Sequence, residues 1–207
     1  MFWILQQPKP LVPEAVYGTI ASGETPLFEI TKCASCQQSR LGRQLRNIRL
    51  ELYNTTLHDF VWIDSPEIII SEQAKNLFST ALTGISYRPI DIATWEIPDP
   101  VAQNRKDLLA ENKELKLYQV IPGSQIVSLK EHNPLKNKFE CTVCGLILYE
   151  PILNGFMLPD NLAQLGELFQ LKEYPGYLVV TDKFAEIVQK NQFGNFDLTP
   201  IDKFSMR

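Results

Sequence analysis

The chain has 207 residues, of which 44% are hydrophobic and 21% are charged, and its net charge at pH 7 is −4. This composition excludes an intrinsically disordered chain, because it offers enough apolar surface to build a core. The net acidity argues against nucleic acid as a partner, since a polyanion usually selects a basic surface. No apolar run approaches the roughly 18 residues that a membrane helix needs, so we expect no membrane partner.

The chain opens with a short apolar run, residues 1–5, which predicts a first β-strand. The run ends at Gln6 and has no basic residues before it, so it does not match a secretory signal. We therefore expect a cytoplasmic protein whose thiols stay reduced and available to a metal.

All four cysteines fall into two CxxC pairs, Cys33 with Cys36 and Cys141 with Cys144. Each pair places two thiolates on one tight turn, and two such turns supply the ligands of a tetrahedral Zn²⁺ site. We predict one structural zinc held by all four cysteines, which leaves no coordination position for a catalytic water. A redox-active CxxC pair, or a site that has lost its metal, is the alternative.

The residue after each pair differs between the two motifs. Gly145 follows the second pair and suits the turn that passes under a metal, whereas Gln37 follows the first pair. The first knuckle is therefore predicted to be the poorer one.

Four arginines follow the first CxxC pair at every third position: Arg40, Arg43, Arg46 and Arg49. Arginines beside a zinc ribbon can bind phosphates, so a nucleic-acid-binding zinc-ribbon protein is the alternative function. A spacing of three drifts around a helix and alternates between the faces of a strand, so the four do not form one stripe. We favour a solvated segment as the interpretation.

Two later segments share the order strand, cap, helix, glycine, strand. The first spans residues 68–91 with Ser71 as the cap and Gly84 after the helix, and the second spans residues 178–202 with Thr181 and Gly194 in those places. Ser and Thr accept hydrogen bonds from the first turn of a helix, and glycine suits a left-handed turn after its end. Both segments close on Pro-Ile-Asp.

Each β-α-β segment follows a CxxC pair at a similar distance. The sequence thus predicts an α+β fold of two pseudo-repeated halves, each a zinc knuckle plus a β-α-β unit, clipped together by the four-cysteine site. We place the halves at residues 1–98 and 139–207, with a connection at 99–138. The alternative is a chance match, because β-α-β units are common.

Two further elements are predicted between the motifs. The connection contains a β-hairpin over residues 115–129, with its turn at Pro122 and Gly123. Apolar residues at helical spacing predict a short amphipathic helix over residues 161–170.

Catalytic motifs are absent from the sequence: it contains no GxSxG, HExxH, Walker A or GxGxxG pattern. The two histidines, His58 and His132, are not spaced as ligands of one knuckle and are predicted to lie on the surface or in loops. We therefore expect a protein that is not an enzyme and has no catalytic residues.

The order of these motifs resembles the double-CxxCG bacterial immunity proteins. The likeness covers nearly the whole chain: an early CxxC knuckle, a central β-α-β segment, the knuckle of residues 141–145, the Glu-Pro-Ile-Leu stretch at 150–153, and a closing strand-helix-strand. The departure is Gln37, where a second CxxCG motif would have glycine.

This resemblance implies a protein that binds and neutralises a cognate bacterial toxin by covering its active or substrate site. Blocking requires only a complementary surface, so the resemblance brings no catalytic residues. The mild acidity of the chain suits a basic toxin such as a nuclease, because opposite charges accelerate association. The partner-binding residues are not identified by the sequence.

Overall fold

A computed structural model describes residues 1–8, 17–21, 26–52, 59–63, 65–93, 116–123, 126–159, 161–164 and 166–206. In this part of the chain the fold is mixed α+β, with helices α1 (Glu72–Ala81) and α2 (Asp182–Lys190) and 3₁₀ turns at Leu162–Gln164 and Ile201–Lys203. The strands are β1 (Phe2–Gln6), β2 (Tyr17–Ile20), β3 (Phe28–Lys32), β4 (Ser39–Gln44), β5 (Arg49–Leu52), β6 (Phe60–Ile63), β7 (Ser65–Ser71), β8 (Ile85–Ile92), β9 (Leu117–Pro122), β10 (Ile126–Val127), β11 (Asn137–Glu140), β12 (Ile147–Tyr149), β13 (Leu168–Leu171), β14 (Leu178–Thr181) and β15 (Asp197–Pro200). Neither of these helices is long and apolar enough to cross a bilayer.

A five-stranded sheet has the strand order β10-β13-β14-β1-β15. The predicted first strand is confirmed as β1, which lies antiparallel between β14 and β15. Both faces of the sheet are buried: Leu178 and Val180 pack into one apolar cluster, and Val179 into another. Burial on both faces explains the continuous apolar run in β14, because successive side chains of a strand point to opposite faces.

A closed barrel with the order β2-β5-β8-β9-β7-β6 forms the second large unit. Its interior is filled by apolar side chains that include Leu50, Ile69 and Leu117. Strand β9 lies antiparallel between β7 and β8, as β1 does between β14 and β15. In both units the two strands that flank a helix are therefore separated by a third strand.

The two predicted helix caps are present. The Ser71 hydroxyl accepts a hydrogen bond from the Ala74 amide at 3.1 Å, and Thr181 Oγ1 accepts one from the Phe184 amide at 3.5 Å. Gly84 has a φ of 71°, as predicted for the turn after α1.

The prediction that Gly194 provides a left-handed turn after α2 is wrong. Gln192, with a φ of 56°, and Asn195, with a φ of 69°, take that conformation instead. Asn195 also donates a side-chain hydrogen bond to the Phe60 carbonyl at 2.7 Å, which stabilises its backbone geometry.

The helices meet in an apolar core between the barrel and the five-stranded sheet. The Phe78 ring of α1 lies 5.0 Å from the Phe184 ring of α2, and Ala74 and Val188 are buried beside them. Aromatic pairs at this distance add to the stabilisation from burial alone. This core joins the two sheet units into one body.

Two predicted elements differ in the structure. Among the described residues β9 pairs with β7 and β8, whereas β10 pairs in parallel with β13, so the predicted hairpin of residues 115–129 is wrong. The described residues of the predicted helix 161–170 form a 3₁₀ turn and the start of β13 instead. Leu168 and Phe169 are both buried, on opposite faces of the sheet. Two adjacent apolar residues also occur on the buried face of a helix, so the sequence pattern resembled a helical one.

The sheets also cross the proposed boundaries between the halves. Strand β1, from residues 1–98, lies in the sheet of β14 and β15, and β9, from the connection of residues 99–138, lies in the barrel. Strand β1 pairs with two strands of residues 139–207, and β9 pairs with two strands of residues 1–98. Each strand therefore satisfies backbone hydrogen-bonding groups outside its own predicted segment. Residues 99–115 of the connection lie outside the described residues.

Candidate metal centre

Two short hairpins carry the cysteine pairs. Strands β3 and β4 flank Cys33 and Cys36, and strands β11 and β12 flank Cys141 and Cys144. All four side chains of β11 are exposed, and β3 is exposed over most of its length. The hairpins therefore extend from the body, and their own packing contributes little to holding them in place.

The two CxxC turns have the same backbone hydrogen bonds. Gln37 donates to the Cys33 carbonyl at 2.9 Å, and Gly145 donates to the Cys141 carbonyl at 2.8 Å. Cys33 and Cys141 in turn donate their amides to the second residue after each pair, at 3.0 Å and 2.9 Å. Both turns thus present their sulfur atoms in the same way.

The first knuckle has the same geometry as the second, although Gln37 stands in the place of a glycine. Gln37 has a φ of 59° and Gly145 a φ of 67°, so both occupy the left-handed region. The Gln37 side chain donates to the Ala34 carbonyl at 2.7 Å, and this local hydrogen bond offsets part of the strain.

The four sulfur atoms converge on one point, as the spacing predicted. Cys33 Sγ lies 3.9 Å from Cys141 Sγ, Cys36 Sγ lies 3.8 Å from Cys144 Sγ, and all four atoms lie within 4.8 Å of one another. Tetrahedral coordination with Zn–S bonds of about 2.3 Å separates sulfur atoms by about 3.8 Å. A disulfide would require about 2.05 Å, and all four cysteines are free thiols. The donor set therefore fits one metal ion.

The turns also favour ionised sulfur. The Cys36 amide lowers the pKa of the Cys33 thiol, and the Cys144 amide lowers the pKa of the Cys141 thiol to about 6. For Cys36 a hydrogen bond from the Gln38 amide favours the thiolate, but desolvation and the neighbouring thiols outweigh it and raise the pKa to about 11. Four crowded thiols without a cation cannot all ionise, and a metal ion supplies the missing charge.

Arg40 of β4 reaches across to the other hairpin. Its Nη2 donates to the Cys144 carbonyl at 2.6 Å and lies 3.5 Å from Cys144 Sγ. The guanidinium thus contacts a candidate metal ligand in the opposite knuckle. Sequence reasoning did not identify this role, because only the fold brings Arg40 to Cys144.

The other arginines of the regular series have different environments. Arg43 lies 3.9 Å from a Glu29 carboxylate oxygen, and Arg46 donates to the carbonyls of Ala21 and Asn47. Arg49 is exposed on β5. The series therefore divides between internal contacts and exposed positions, in agreement with the argument that it does not form one stripe.

Exposed apolar side chains surround the second knuckle. Val143 in the turn is 71% exposed, and Phe139 and Leu148, which face each other across the hairpin, are each 40% exposed. A cleft of about 380 Å³ opens at the base of this hairpin, lined by residues that include Leu135, Ile152 and the 63% exposed Leu153. Sequence reasoning missed this surface, although the apolar Val143 inside a CxxC motif was a visible signal.

His132 is not among the described residues that could hold the metal ion. His132 is exposed in the turn that follows Leu129 and is not grouped with the cysteines. His58 lies outside the described residues. Within the described part of the chain, the ligand group is made of the four cysteines alone.

The fold and the site together define a mixed α+β protein in which four cysteines from two hairpins could bind one metal ion. Comparison with known proteins gives no match, either to a protein-family model or to a curated protein.

Proposed function

We propose that this chain is a cytoplasmic immunity protein that binds and neutralises a cognate bacterial toxin, and that it does so without catalysis. The observation that carries the proposal is the convergence of two distant CxxC pairs on one point, because paired CxxC knuckles belong to the order of motifs in the family that the sequence resembles. A metal that fixes two projecting hairpins would give a rigid surface, and rigid surfaces lose little entropy on binding.

The metal in this proposal is a single structural Zn²⁺. Four thiolates in tetrahedral geometry select zinc over magnesium or calcium, which prefer oxygen ligands. Elemental analysis of protein purified without chelators should give one zinc per chain. A stoichiometry near zero in protein with free thiols would contradict this part of the proposal.

The proposed toxin-binding surface is the second hairpin and the cleft at its base. Phe139, Leu148 and Leu153 offer apolar contact area, and exposed aromatic and aliphatic anchors carry much of the energy in protein interfaces. Lys136 and Glu150 also line the cleft and are exposed, so they provide polar groups beside the apolar ones. This combination supports a protein partner.

The direct test is protection. Cells that express the toxin encoded beside this gene should survive when the chain is co-expressed. Phe139→Asp combined with Leu153→Asp should abolish protection and complex formation, because both changes place charge in an apolar interface. Ile126→Asp is the matched control, since Ile126 is 61% exposed on β10 and outside the proposed surface.

Zinc content of the variants separates loss of binding from damage to the metal site. The proposal fails if the wild-type chain gives no protection, and the surface assignment fails if the double variant protects as well as the control.

The alternative is a nucleic-acid-binding zinc-ribbon protein. Arg40 and Arg46 already donate to groups of this chain, which weakens the case for a phosphate-binding row. Retention on immobilised single-stranded DNA or RNA, falling steeply as salt rises, would favour this alternative over a toxin partner.

We also propose that the chain contains two related halves. The supporting features are the matched hydrogen bonds of the two CxxC turns, the matched caps Ser71 and Thr181, and helices flanked by strands that a third strand separates. An alignment built from relatives should match residues 28–92 with residues 136–202 better than with shuffled segments. If the two segments match no better than shuffled ones, the proposal of a common origin for the two halves fails.

A further inference from the structure

A four-thiolate metal centre carries excess negative charge. Four thiolates and one divalent cation leave a net charge of −2, and a centre at the surface is stabilised by nearby cations and N–H groups. Backbone amides supply part of this within each CxxC turn. A side chain that reaches the sulfur atoms can supply a further part.

Arg40 is the side chain in the described structure that makes this approach. One guanidinium nitrogen is shared between the carbonyl and the sulfur of Cys144, at 2.6 Å and 3.5 Å. The contact crosses from the first hairpin to the second. We infer that Arg40 is a positioning residue of the metal centre, which neutralises part of its charge and lowers the reactivity of the Cys144 thiolate; this inference rests on the proposed metal site.

The surroundings of the centre are asymmetric in a way that supports this assignment. In the first hairpin, Arg40 pairs with Thr31. In the second hairpin, the corresponding pair is Leu148 with Phe139. Counted from its CxxC pair, Leu148 occupies the place of Arg40. The position that supplies a cation on one side of the centre therefore supplies an apolar side chain on the other.

An N–H group that points at a thiolate lowers the electron density that the sulfur gives to the metal. It also makes the sulfur a weaker nucleophile, because the lone pair is held by the hydrogen bond. A structural tether between the hairpins would have neither effect. Exposed charged contacts often contribute little to stability, so the electronic effect is the informative one to measure.

The experiment uses full-length protein loaded with Co²⁺ or Zn²⁺. In Arg40→Gln the thiolate-to-cobalt charge-transfer band should move to longer wavelength, because the sulfur loses its hydrogen bond. Metal release on treatment with N-ethylmaleimide, a neutral reagent that adds thiolate sulfur across its double bond, should accelerate about threefold to tenfold. A neutral reagent avoids direct attraction to the guanidinium.

Two further variants complete the test. Arg40→Lys keeps the positive charge and should restore most of the protection from N-ethylmaleimide. Arg43→Gln is the matched control on the same strand, because its guanidinium pairs with Glu29 rather than with the centre, and it should behave like the wild type.

The outcomes distinguish this inference from the metal site on which it rests. Normal metal binding with an unchanged band and unchanged release rate in Arg40→Gln overturns the role of Arg40 alone. A wild-type chain that binds neither metal overturns both the metal site and this inference.

Discussion

Gly145 and Gly155 have nearly the same backbone conformation in different surroundings. Their φ values are 67° and 68°, in the left-handed region that most residues avoid. A Cβ added at Gly145 would have no neighbour within 4 Å, whereas one at Gly155 would lie 2.5 Å from the Asp202 carbonyl oxygen. A substitution at Gly145 therefore tests backbone strain alone, whereas one at Gly155 tests backbone strain together with a steric clash.

Alanine substitutions at these glycines should have clearly different costs. Gly145→Ala should lower the free energy of unfolding by about 1 kcal/mol, from the backbone conformation alone. Gly155→Ala should cost about 3 kcal/mol or more, since the chain near Asp202 must also move. Urea denaturation of the metal-loaded proteins provides the measurement, and equal losses would contradict the explanation.

At this scale the sequence predicted chemistry better than conformation. The four ligands followed from cysteine spacing, and the caps from hydroxyl side chains before apolar helices. The residues with left-handed backbone conformation were harder to predict, because Gln37, Gln192 and Asn195 adopt it although they are not glycine. For Gln37 and Asn195 a side-chain hydrogen bond helps to hold the conformation, and for Asn195 its partner lies in another element.

Among the secondary-structure elements, α1 and α2 are joined by an acidic side chain as well as by their apolar faces. Glu167 is almost fully buried and accepts hydrogen bonds from the Thr83 amide at 2.6 Å and the Thr83 hydroxyl at 3.0 Å. Its other oxygen lies 3.2 Å from Lys183 Nζ in α2. One carboxylate thus connects the end of α1 with the first turn of α2.

Replacement of this carboxylate should weaken the connection between the helices. Glu167→Ala should reduce the free energy of unfolding by about 2–3 kcal/mol, because it leaves the Thr83 amide without its partner in a partly buried site. Glu186→Ala on the exposed face of α2 is the control and should change stability by less than about 0.5 kcal/mol. A similar loss of stability in both variants would contradict the stabilising role of the Glu167 contacts.

Helices and their flanking strands were predictable because their signals are local: an apolar period, a cap and a terminator. Strand partners were not, because pairing depends on residues far apart in the chain. β9 and β10 are neighbours in sequence and belong to different sheets. The apolar residues at 162, 168 and 169 had helical spacing by coincidence, since they belong to a turn and a strand.

At the scale of the whole described structure, a body with its own cores carries two hairpins that a metal ion bound by the four cysteines would hold together. Three apolar clusters fill the barrel, the space between barrel and sheet, and the outer face of the sheet. The hairpins contribute little to these clusters. Folding of the body is therefore expected to depend less on the metal than folding of the hairpins does.

Removal of the metal should produce a partial loss of structure. Treatment with a strong chelator should lower the melting temperature by about 10 °C or more, while most of the far-ultraviolet circular dichroism remains. Limited proteolysis should then cut first within residues 28–45 and 136–150. Added Zn²⁺ should reverse both effects, and complete unfolding of the chelated protein would contradict the independence of the body.

The convergence of the cysteines was predictable at this scale because a metal needs four ligands and the chain offers four. The arrangement of the sheets was not predictable, because nothing local marks β1 as the neighbour of strands near the other end. The exposed face of the second hairpin was also missed, since exposure depends on what the rest of the fold leaves uncovered.

The position of β1 has a consequence for biosynthesis. Gln6 and Thr199 are hydrogen-bonded neighbours that are 193 residues apart. The ribosome releases this apolar strand long before it makes either flanking strand, so the nascent chain carries an unpaired apolar segment until β14 and β15 are made. Chaperones recognise such segments, and the five-stranded sheet can close only after β15 has been synthesised.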